Sequence, residues 1–455
     1  MTFIATNPAT GTEVRRAATI DNAAIRKAVR TADRAYRAWR ATPIAARAER
    51  LRTVARALRD DAMDHARLMA EEMGKPVTAG RSEAEKCAWV CEYYAEHAEA
   101  FLADAPVTTD ASRSFVTYRP LGPVFAVMPW NFPYWQVFRF AAPALAAGNV
   151  ALLKHAPNVP GCAARIERLF ADAGCPSGVF QNLYITEKQA AAVIRNPLVR
   201  GVTLTGGVRA GQAVAKQAGA RVKKTVLELG GSDPYVVLED ADVAAAAEAC
   251  VTSRLLNSGQ SCIAAKRFVV VEQVREEFER AVVERMRAVT MGDPMAPDTQ
   301  VGPQAREDLR TELHRQVTGS VAAGARCLLG GEVPRGPGWF YPPTVLTDVT
   351  KGMPAFDEEV FGPVAAIVPV RNRRQALRAA NDSPYGLGAA VFTRDIAEGE
   401  RIAREELEAG SCFVNAFVRS DPRLPFGGIK DSGYGRELGR AGIREFVNVK
   451  TVWVA

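Results

Sequence analysis

The segment Asn149–Gly174, NVALLKHAPNVPGCAARIERLFADAG, decides the fold class of this chain. It begins with a short apolar run typical of a buried strand, and it continues through a proline-containing turn into apolar residues at helical spacing. Similar strand-like runs are GPVFAVMPW from Gly122, GVFQNLYI from Gly178 and GVTLTG from Gly201, and RAGQAVAKQAGA from Arg209 is helix-like. Strands that alternate with helices predict a parallel, doubly wound α/β sheet with a ligand crevice at the carboxyl ends of its strands.

The sequence on either side of this region predicts the rest of the architecture. Two amphipathic helical patterns precede it, one after an N-cap at Asp21 and one over residues 45–73 that stops at Gly74. A second alternating set of strands and helices begins after Gly230 and Gly231, where we expect a domain boundary. The final segment EFVNVKTVWVA predicts a terminal strand that can pair with another subunit.

Length and composition limit the classes of function. A chain of 455 residues is too long for one hydrophobic core and predicts two or three domains. Its formal net charge of +7 is spread without a basic block, so no nucleic-acid partner is expected. No secretory signal and no apolar run of about 18 residues occur, so no membrane association is expected. Eight scattered cysteines indicate a reduced, cytoplasmic setting, and no metal-binding constellation is visible.

One of these cysteines, Cys262, has the surroundings of a nucleophile. It lies in the segment NSGQSCIAAK, Asn257–Lys266, where Gly259 permits a tight bend after a predicted helix. A thiol attacks only as thiolate and is mostly protonated at neutral pH, so this role requires an activating group. The alternative is that Cys262 is a small, buried hydrophobic residue, as most cysteines in such proteins are.

Two polar residues are candidates to assist the thiol. Glu228 stands at a strand end in LELGGSDP, where a carboxylate with open backbone around it can act as a general base. Asn131 stands in MPWNFPYWQ, an aromatic, proline-bounded loop from which a side-chain amide can donate to a developing oxyanion. Taken singly, Glu228 is better explained as a solvated strand-end or capping carboxylate, and Asn131 as a turn-stabilising residue.

A glycine-rich turn is a candidate phosphate site. The segment TLTGGVRAG passes from a strand through Gly206 and Gly207 into a helix that contains Gly211. The free N–H groups and the dipole of such a helix N-terminus suit an anion. A generic strand-to-helix turn explains this segment nearly as well, and the chain has neither a strand-linked GxGxxG nor a Walker A pattern.

The joint occurrence of these and other segments, in order, carries a family resemblance. The segments are MPWNFP, LLKHAPNV, TLTGGVRAG, LELGGSDP, NSGQSC, EEVFGPV, NDSPYGLGAAVFT and PFGGIKDSGYGRELG. Together they strongly resemble the aldehyde dehydrogenase superfamily over nearly the whole chain. The resemblance implies a Rossmann-type cofactor domain, an α/β catalytic domain and a small β oligomerisation flap.

The same resemblance implies domain bounds and an assembly. A nicotinamide-dinucleotide-binding domain is expected over residues 1–106 and 120–230, and a catalytic domain over 231–430. Oligomerisation segments are expected at 107–119 and 431–455, in a homodimer or a homotetramer. No metal is expected to be required.

The resemblance also implies catalytic roles. Cys262 would attack the aldehyde carbonyl to form a thiohemiacetal, whose oxyanion Asn131 and the backbone N–H of Cys262 would hold. Departure of hydride to the nicotinamide would leave a thioester. Glu228 would activate the water that hydrolyses it, and deprotonation of the thiol is a second role open to the same carboxylate. Covalent catalysis of this kind divides one difficult oxidation into two easier steps.

Cofactor contacts are implied for several further residues: Trp130, Lys154, Pro157, Gly206, Gly207, Gly211, Glu359 and Phe361. Glu359 and Phe361 match contacts to the nicotinamide ribose and ring, and Lys154 matches the lysine that binds the adenosine ribose. Gly207 replaces a phosphate-binding serine of the family. Pro157 replaces a glutamate with which NAD-specific members hold the ribose 2′-hydroxyl, so a 2′-phosphate is tolerated and NADP is favoured over NAD.

The substrate is indicated by Arg139, eight residues after Asn131. Succinate-semialdehyde dehydrogenases carry an arginine there that grips a distal carboxylate, and a guanidinium in an apolar funnel requires such an anion. The alternative is an arginine paired with a structural glutamate. Ser420 stands at a substrate-contact position, and Leu256 replaces a second arginine of the animal-type enzymes, which leaves Arg419 or Arg423 as a replacement cation.

Other functions stay open at this stage. The chain resembles bacterial succinate-semialdehyde dehydrogenases, but glutarate semialdehyde or a range of aliphatic and aromatic aldehydes are alternative substrates. A cysteine hydrolase or acyltransferase is disfavoured because none of the four histidines adjoins Cys262. A non-enzymatic binding protein on the same fold is disfavoured because the three predicted catalytic residues are all present.

Overall fold

The computed structural model describes residues 2–455. The α-helices are α1 Asn22–Trp39, α2 Ile44–Asp60, α3 Ala62–Met73, α4 Val77–Leu102, α5 Trp135–Ala146, α6 Pro160–Asp172, α7 Glu187–Arg195, α8 Val208–Gly219, α9 Val243–Leu255, α10 Arg275–Arg287, α11 Glu307–Ala322, α12 Pro354–Asp357, α13 Arg373–Asn381, α14 Ile396–Glu405 and α15 Gly439–Arg444. The strands are β1 Thr2–Thr6, β2 Glu13–Ala18, β3 Ala105–Pro106, β4 Arg113–Pro120, β5 Pro123–Val127, β6 Val150–Lys154, β7 Phe180–Asn182, β8 Gly201–Thr205, β9 Lys224–Glu228, β10 Pro234–Val237, β11 Arg267–Val271, β12 Arg326–Leu329, β13 Thr344–Thr347, β14 Val364–Val370, β15 Tyr385–Gly386, β16 Gly388–Phe392, β17 Ser411–Val414, β18 Ile429–Lys430, β19 Gly433–Tyr434 and β20 Val447–Val454.

The predicted parallel sheet is the first of two large sheets. Its order is β19-β9-β8-β5-β6-β7, and every pair is parallel except β19 with β9. Strands β5, β6 and β8 are buried almost throughout, as expected of a parallel sheet covered by helices on both faces. The strand–turn–helix unit that decides the fold is β6 followed by α6, and the predicted α/β class is confirmed.

The second large sheet follows directly along the chain. Its order is β12-β13-β14-β11-β10-β16-β17, with only β12 antiparallel to its neighbour. The chain passes from the first sheet to the second between β9 and β10, through Gly230 and Gly231. Strand β19 later returns to the first sheet, so the predicted segment 431–455 contributes to that sheet as well as to the terminal strand.

A small antiparallel sheet stands apart from the two large ones. Its order is β20-β4-β3, and β20 pairs with β4 over its full length. The terminal strand predicted from the sequence therefore pairs within its own chain, and its other edge is left open. Val449, Trp453 and Val454 on this strand are exposed apolar side chains.

Three helices, α1 to α3, lead into the long helix α4. The helical pattern over residues 45–73 forms two helices rather than the one continuous pattern expected, because the backbone at Asp61 leaves the helical region with φ −102° and ψ 19°. Gly74 ends α3 with φ 77°, the left-handed conformation that favours glycine. Helix α4 then packs against α2, α3 and α5.

No helix between residues 2 and 455 is long and apolar enough to cross a membrane.

Candidate active site

A cavity of about 260 Å³ lies where helices α4 and α5 meet the loop that carries Cys262. Segment 419–426 closes its remaining side. Three predicted site residues, Cys262, Arg139 and Ser420, line it together. Its other lining side chains include apolar and aromatic ones, among them Phe132, Trp135, Leu256, Ile263 and Phe426, together with several polar and charged ones. The fold therefore brings the thiol and the predicted substrate contacts into one enclosed space.

The loop before Cys262 is shaped by three residues in the left-handed region. Helix α9 ends at Leu255, and Asn257, Ser258 and Gly259 follow with φ of 55°, 57° and 76°. A Cβ at Gly259 would lie 2.2 Å from the carbonyl carbon of Gly362, so only glycine fits there. The tight bend predicted at Gly259 is present, and it turns the chain so that Cys262 faces the cavity.

Burial controls the protonation of the thiol. Loss of water raises the pKa of Cys262 to about 12, while the nearby cations Lys266 and Arg139 act in the opposite direction. Lys266 is fully buried behind the loop, and its ammonium donates to the backbone carbonyls of Ser261 and Cys262. Cys262 is therefore a neutral thiol at neutral pH and needs a proton acceptor before it can attack.

Two hydrogen-bond donors are available in and next to the loop that carries Cys262. The amide nitrogen of Asn131 donates one hydrogen to the carbonyl of Gln260 at 3.1 Å, which leaves its second hydrogen free. Asn257 holds the Asn131 backbone from the other side, with its amide nitrogen 2.7 Å from the Asn131 carbonyl oxygen. Among the described residues, no acceptor binds the backbone N–H of Cys262. These donors have the character of an oxyanion site.

Glu228 is buried at the carboxyl end of β9. Only 2% of its surface is exposed, which excludes the solvated strand-end carboxylate that the sequence left open. Neither carboxylate oxygen has a hydrogen-bond partner within the described chain, and burial raises the pKa of Glu228 well above its usual range. The side chain does not line the cavity but faces Gly427, where an added Cβ would lie 2.7 Å from Oε1. The structure thus places the carboxylate outside the lining of the cavity, against Gly427.

Arg139 differs from the sequence expectation. It lines the cavity, but its guanidinium is paired with Glu437, a buried carboxylate that the sequence analysis did not assign a role. Its Nη2 also lies 3.4 Å from the hydroxyl of Thr205, and its guanidinium lies 4.7 Å from the ring centre of Phe426. The alternative of an arginine held by a structural glutamate is therefore the arrangement observed. A buried arginine on an apolar helix required such a partner, but the sequence offered no way to choose it.

The other cations near the cavity differ in their exposure and in whether a carboxylate pairs with them. Arg419 lines the cavity from an exposed position, whereas Arg423 pairs with Asp421 and lies over Trp89, outside the lining. Lys75 lines the cavity but forms a buried ion pair with Glu83.

Lys86 on α4 is the remaining cation of the lining, and no motif in the sequence marks it as a site residue. Its ammonium lies 2.8 Å from the hydroxyl of Ser420. Helical spacing alone could not show which side of α4 faces the cavity.

Two predicted nicotinamide-site residues are brought into contact. The rings of Trp130 and Phe361 meet edge to face with centroids 5.9 Å apart, and Arg306 lies over Trp130 at 5.8 Å. Glu359 accepts a hydrogen bond from the backbone N–H of Gly231 at 3.0 Å and lies 3.6 Å from Lys266. The two large sheets therefore meet at this contact, because Trp130 follows β5 and Phe361 precedes β14.

The carboxyl edge of the first sheet fits a phosphorylated ribose. Lys154 ends β6, is buried and has no ion-pair partner within the described residues, and burial lowers its pKa. Both polar atoms of the Asn158 amide are buried without a partner. Pro157 between them is exposed. Unpaired buried polar groups of this kind indicate a missing ligand.

The glycine-rich turn fits a phosphate group. Gly207 caps α8 without a side-chain hydrogen bond to the free N–H groups, and a Cβ built on it would meet no atom within 4 Å. Gly211 in the first turn allows α8 to approach β9, since a Cβ there would lie 2.6 Å from Leu229. The backbone N–H of Gly206 donates to the carbonyl of Glu228, so this turn is joined to the end of β9. No group of three metal-ligating side chains occurs within residues 2–455.

Two joined α/β sheets with a thiol-lined cavity beside a nucleotide-fitting crevice define an α/β enzyme. The chain matches the aldehyde dehydrogenase family over residues 1–452 and belongs to that family.

Its relatives share both sequence and fold. A probable succinate-semialdehyde dehydrogenase [NADP(+)] of Synechocystis sp. is 48% identical over the full length of both chains. The succinate semialdehyde dehydrogenase [NAD(P)+] Sad of Escherichia coli is 47% identical over 99% of this chain and 97% of the relative. A crystal structure of succinic semialdehyde dehydrogenase from Streptococcus pyogenes in complex with NADP+ superposes with a TM-score of 0.97, at 36% identity and 99% coverage of both chains. The family resemblance inferred from the motifs is confirmed.

Proposed function

We propose that this aldehyde dehydrogenase oxidises succinic semialdehyde to succinate with NADP as the electron acceptor. The observation that carries the substrate proposal is the cavity, in which the Cys262 thiol shares a small enclosed space with cations and with Ser420. The thiol is suited to an aldehyde carbonyl, and the cations are suited to a carboxylate on the same substrate. The names of the relatives, at 47–48% identity over almost the whole chain, support the same substrate.

Cys262 in the cavity and the neighbouring residues Asn131 and Glu228 divide the chemistry among them. Cys262 loses its proton to water in the cavity as its sulfur attacks the carbonyl carbon, and the amide of Asn131 and the backbone N–H of Cys262 stabilise the oxyanion. The bound nicotinamide supplies the acceptor for the hydride. Glu228, after its side chain turns toward the sulfur, takes a proton from the water that attacks the thioester. A turn of the side chain is required because the carboxylate faces Gly427 in the structure.

NADP is proposed on the charges at the adenosine end of the crevice. Lys154 offers a buried, unpaired ammonium to a 2′-phosphate, and the exposed Pro157 brings no carboxylate that would repel it. Asn158 supplies an amide that has no other partner. The N-terminus of α8 at Gly207 would hold the pyrophosphate through backbone N–H groups, and Trp130, Glu359 and Phe361 would hold the nicotinamide end.

A substrate panel tests the proposal directly. Initial rates of reduction at about 340 nm are measured with succinic semialdehyde, glutarate semialdehyde, benzaldehyde and butanal, each with NADP and with NAD. We expect the highest kcat/KM for succinic semialdehyde with NADP. Equal kcat/KM for succinic semialdehyde and butanal would overturn the substrate and leave an aldehyde dehydrogenase of broad range. A higher kcat/KM with NAD would overturn the cofactor.

We also propose a homodimer or homotetramer in a reduced, cytoplasmic setting. The exposed apolar side chains on the open-edged strand β20 support association, since isolated edge strands are usually covered. Eight free cysteines support a reduced setting. Light scattering coupled to size exclusion is expected to give two or four times the mass of the chain, and a monomer would contradict the assembly.

A further inference from the structure

Lys86 is a cation that the mechanism above does not use. It lies half-buried on α4 and lines the same cavity as Cys262. Its ammonium donates to the Ser420 hydroxyl at 2.8 Å and lies 4.3 Å from the ring centre of Trp135. No carboxylate within the described chain lies within ion-pair distance of it.

Each of the other cations of the cavity is either neutralised or exposed. Four cationic side chains line it: Lys75, Lys86, Arg139 and Arg419. Lys75 is paired with Glu83, and Arg139 is paired with Glu437. Arg419 is exposed, so solvent weakens its attraction for an anion. Lys86 is therefore the sheltered positive charge of this cavity that lacks a carboxylate.

The carboxylates nearest to Lys86 are already engaged. Glu83 binds Lys75 and accepts the backbone N–H groups of Tyr134 and Trp135. Asp421 pairs with Arg423. Burial and the neighbouring Arg139 lower the pKa of Lys86 to about 8, whereas a carboxylate bound at this point would favour its charged form.

The hydrogen-bonding capacity at this end of the cavity also fits a carboxylate. An ammonium has three hydrogens, and Lys86 uses one of them for Ser420. The Ser420 hydroxyl accepts that bond and keeps its own hydrogen to donate. Two donors on neighbouring atoms can bind the oxygens of one carboxylate, and charge-assisted bonds of this kind are among the strongest in proteins.

We propose that Lys86, together with the Ser420 hydroxyl, binds the carboxylate at the far end of the aldehyde substrate and determines the preference for it. This inference rests on the proposed function, in which the substrate is a semialdehyde that carries a carboxylate. Arg139 is not assigned to the substrate carboxylate in this proposal, because its guanidinium is held by Glu437. Lys86 acts in binding, so its removal raises KM for the charged substrate and leaves the chemistry on Cys262 in place.

Variants at position 86 test the proposal. Lys86→Met keeps an unbranched side chain of similar length but removes the charge, and Lys86→Arg keeps the charge. Lys27→Met on α1 removes an exposed lysine and serves as the matched control. Each is assayed with NADP and either succinic semialdehyde or butanal, and butanal turnover reports whether a variant is folded. Lys86→Gln replaces Lys86→Met if the latter has no butanal activity.

Removal of the charge is expected to raise KM for succinic semialdehyde by roughly 10- to 100-fold, because one or two hydrogen bonds between charged groups are lost. KM for butanal should stay near the wild-type value, Lys86→Arg should recover much of the loss, and Lys27→Met should have no effect. Inhibition by succinate should weaken in parallel.

The two proposals fail in different ways. If the wild type does not prefer succinic semialdehyde to butanal, the proposed function is wrong. If the wild type has that preference and Lys86→Met retains it, the substrate stands and the role of Lys86 is wrong. An equal loss for both substrates would show that Lys86 supports the cavity rather than the carboxylate, and it would also overturn the role.

Discussion

Cys262 and Glu228 are titratable groups from which the fold has removed water. Burial raises the pKa of the thiol to about 12 and raises the pKa of the carboxyl well above its usual range. Lys266 opposes the shift at Cys262 most strongly, and Arg139 opposes the shift at Glu228 most strongly. Both groups are favoured in their neutral forms, so proton transfer has to be arranged within the site as the reaction proceeds.

The raised pKa of Glu228 predicts a limb in the pH dependence of turnover. A carboxyl with a raised pKa loses its basic form as the pH falls through that raised value, so kcat should decline on the acid side at a pH well above 4.5. Glu228→Gln should lower steady-state kcat by roughly 10²- to 10⁴-fold and abolish this limb. The measurement is kcat between pH 5 and pH 9 at saturating substrate.

Burst kinetics provide the control for this prediction. In Glu228→Gln the first turnover should still reduce one NADP per site, because only hydrolysis of the thioester is blocked. In Cys262→Ser the burst should be lost with the steady-state rate. An acid limb that persists unchanged in Glu228→Gln would assign it to another group.

Pro157 allows a second test at the level of one residue. Pro157→Glu places a carboxylate in an exposed turn three residues after Lys154, where it would compete for that ammonium and repel a 2′-phosphate. We expect KM for NADP to rise by roughly tenfold relative to KM for NAD. Pro157→Gln is the uncharged control, and an unchanged ratio of the two KM values in Pro157→Glu would remove Pro157 from the account of cofactor choice.

At the scale of elements, the start of helix α5 is held by a carboxylate from α4. Glu83 accepts the backbone N–H groups of Tyr134 and Trp135, each at 2.9 Å, and pairs with Lys75. The Lys75 ammonium in turn lies 4.0 Å from the ring centre of Phe132. This network holds Phe132, Tyr134 and Trp135, which follow Asn131 along the chain, and we expect it to fix the position of the Asn131 amide.

Glu83→Gln is expected to weaken this positioning. An amide keeps one acceptor for the helix N-terminus but leaves the Lys75 ammonium buried without an opposite charge, which destabilises a protein by about 3 kcal/mol or more. We expect a lower thermal unfolding midpoint and a kcat reduced by roughly tenfold for both succinic semialdehyde and butanal.

Glu85→Gln on the same helix removes an exposed partner of Arg81 and is the matched control, with an effect of under about 1 kcal/mol. A loss of kcat confined to succinic semialdehyde in Glu83→Gln would instead point to the carboxylate end of the cavity. The double change Lys75→Met with Glu83→Gln should recover part of the stability.

At the scale of the whole molecule, two neutral histidines join separate parts of the core. His155, directly after β6, has its Nε2 2.8 Å from the carbonyl oxygen of Pro133, and its Nδ1 accepts the N–H of Ala156. His65 on α3 lies 3.1 Å from the Tyr134 hydroxyl. Burial lowers the pKa of each histidine to about 4.

These shifts predict a loss of stability in acid. An unfolded chain takes up a proton on each histidine near pH 6.5, whereas the folded protein does so only near pH 4, so stability falls as the pH drops from 6.5 to 4. Each histidine contributes about 3 kcal/mol to this loss. The free energy of unfolding of the wild type and of His155→Gln is compared at pH 7 and pH 4.5.

The difference between the two proteins isolates one histidine. The buried carboxyls of raised pKa, such as Glu72, change stability in the opposite sense, but they are the same in both proteins. We expect His155→Gln to be destabilised at pH 7 and to approach the wild type at pH 4.5. His97→Gln, at a half-buried position on α4, should follow the wild type at both pH values. Parallel pH curves for His155→Gln and the wild type would contradict the argument.

Local patterns determined much of this protein. Alternating apolar runs and helical periods predict the first sheet because strand and helix formation depend mainly on residues near in sequence. Gly259 was predicted at a bend, and its contact with Gly362 shows why no other residue fits. The order of the motifs identified the family over the full chain, and the position of Cys262 in its loop follows from that order.

What only the tertiary structure decided is which distant groups meet. Arg139 and Glu437 lie almost three hundred residues apart in sequence, and no spacing rule could pair them. The same holds for Lys86 and Ser420, which converge only when α4 packs beside α5 and the segment 419–426. Pairing of this kind depends on long-range packing and on the need of each buried charge for a partner, and the pattern along the chain records neither.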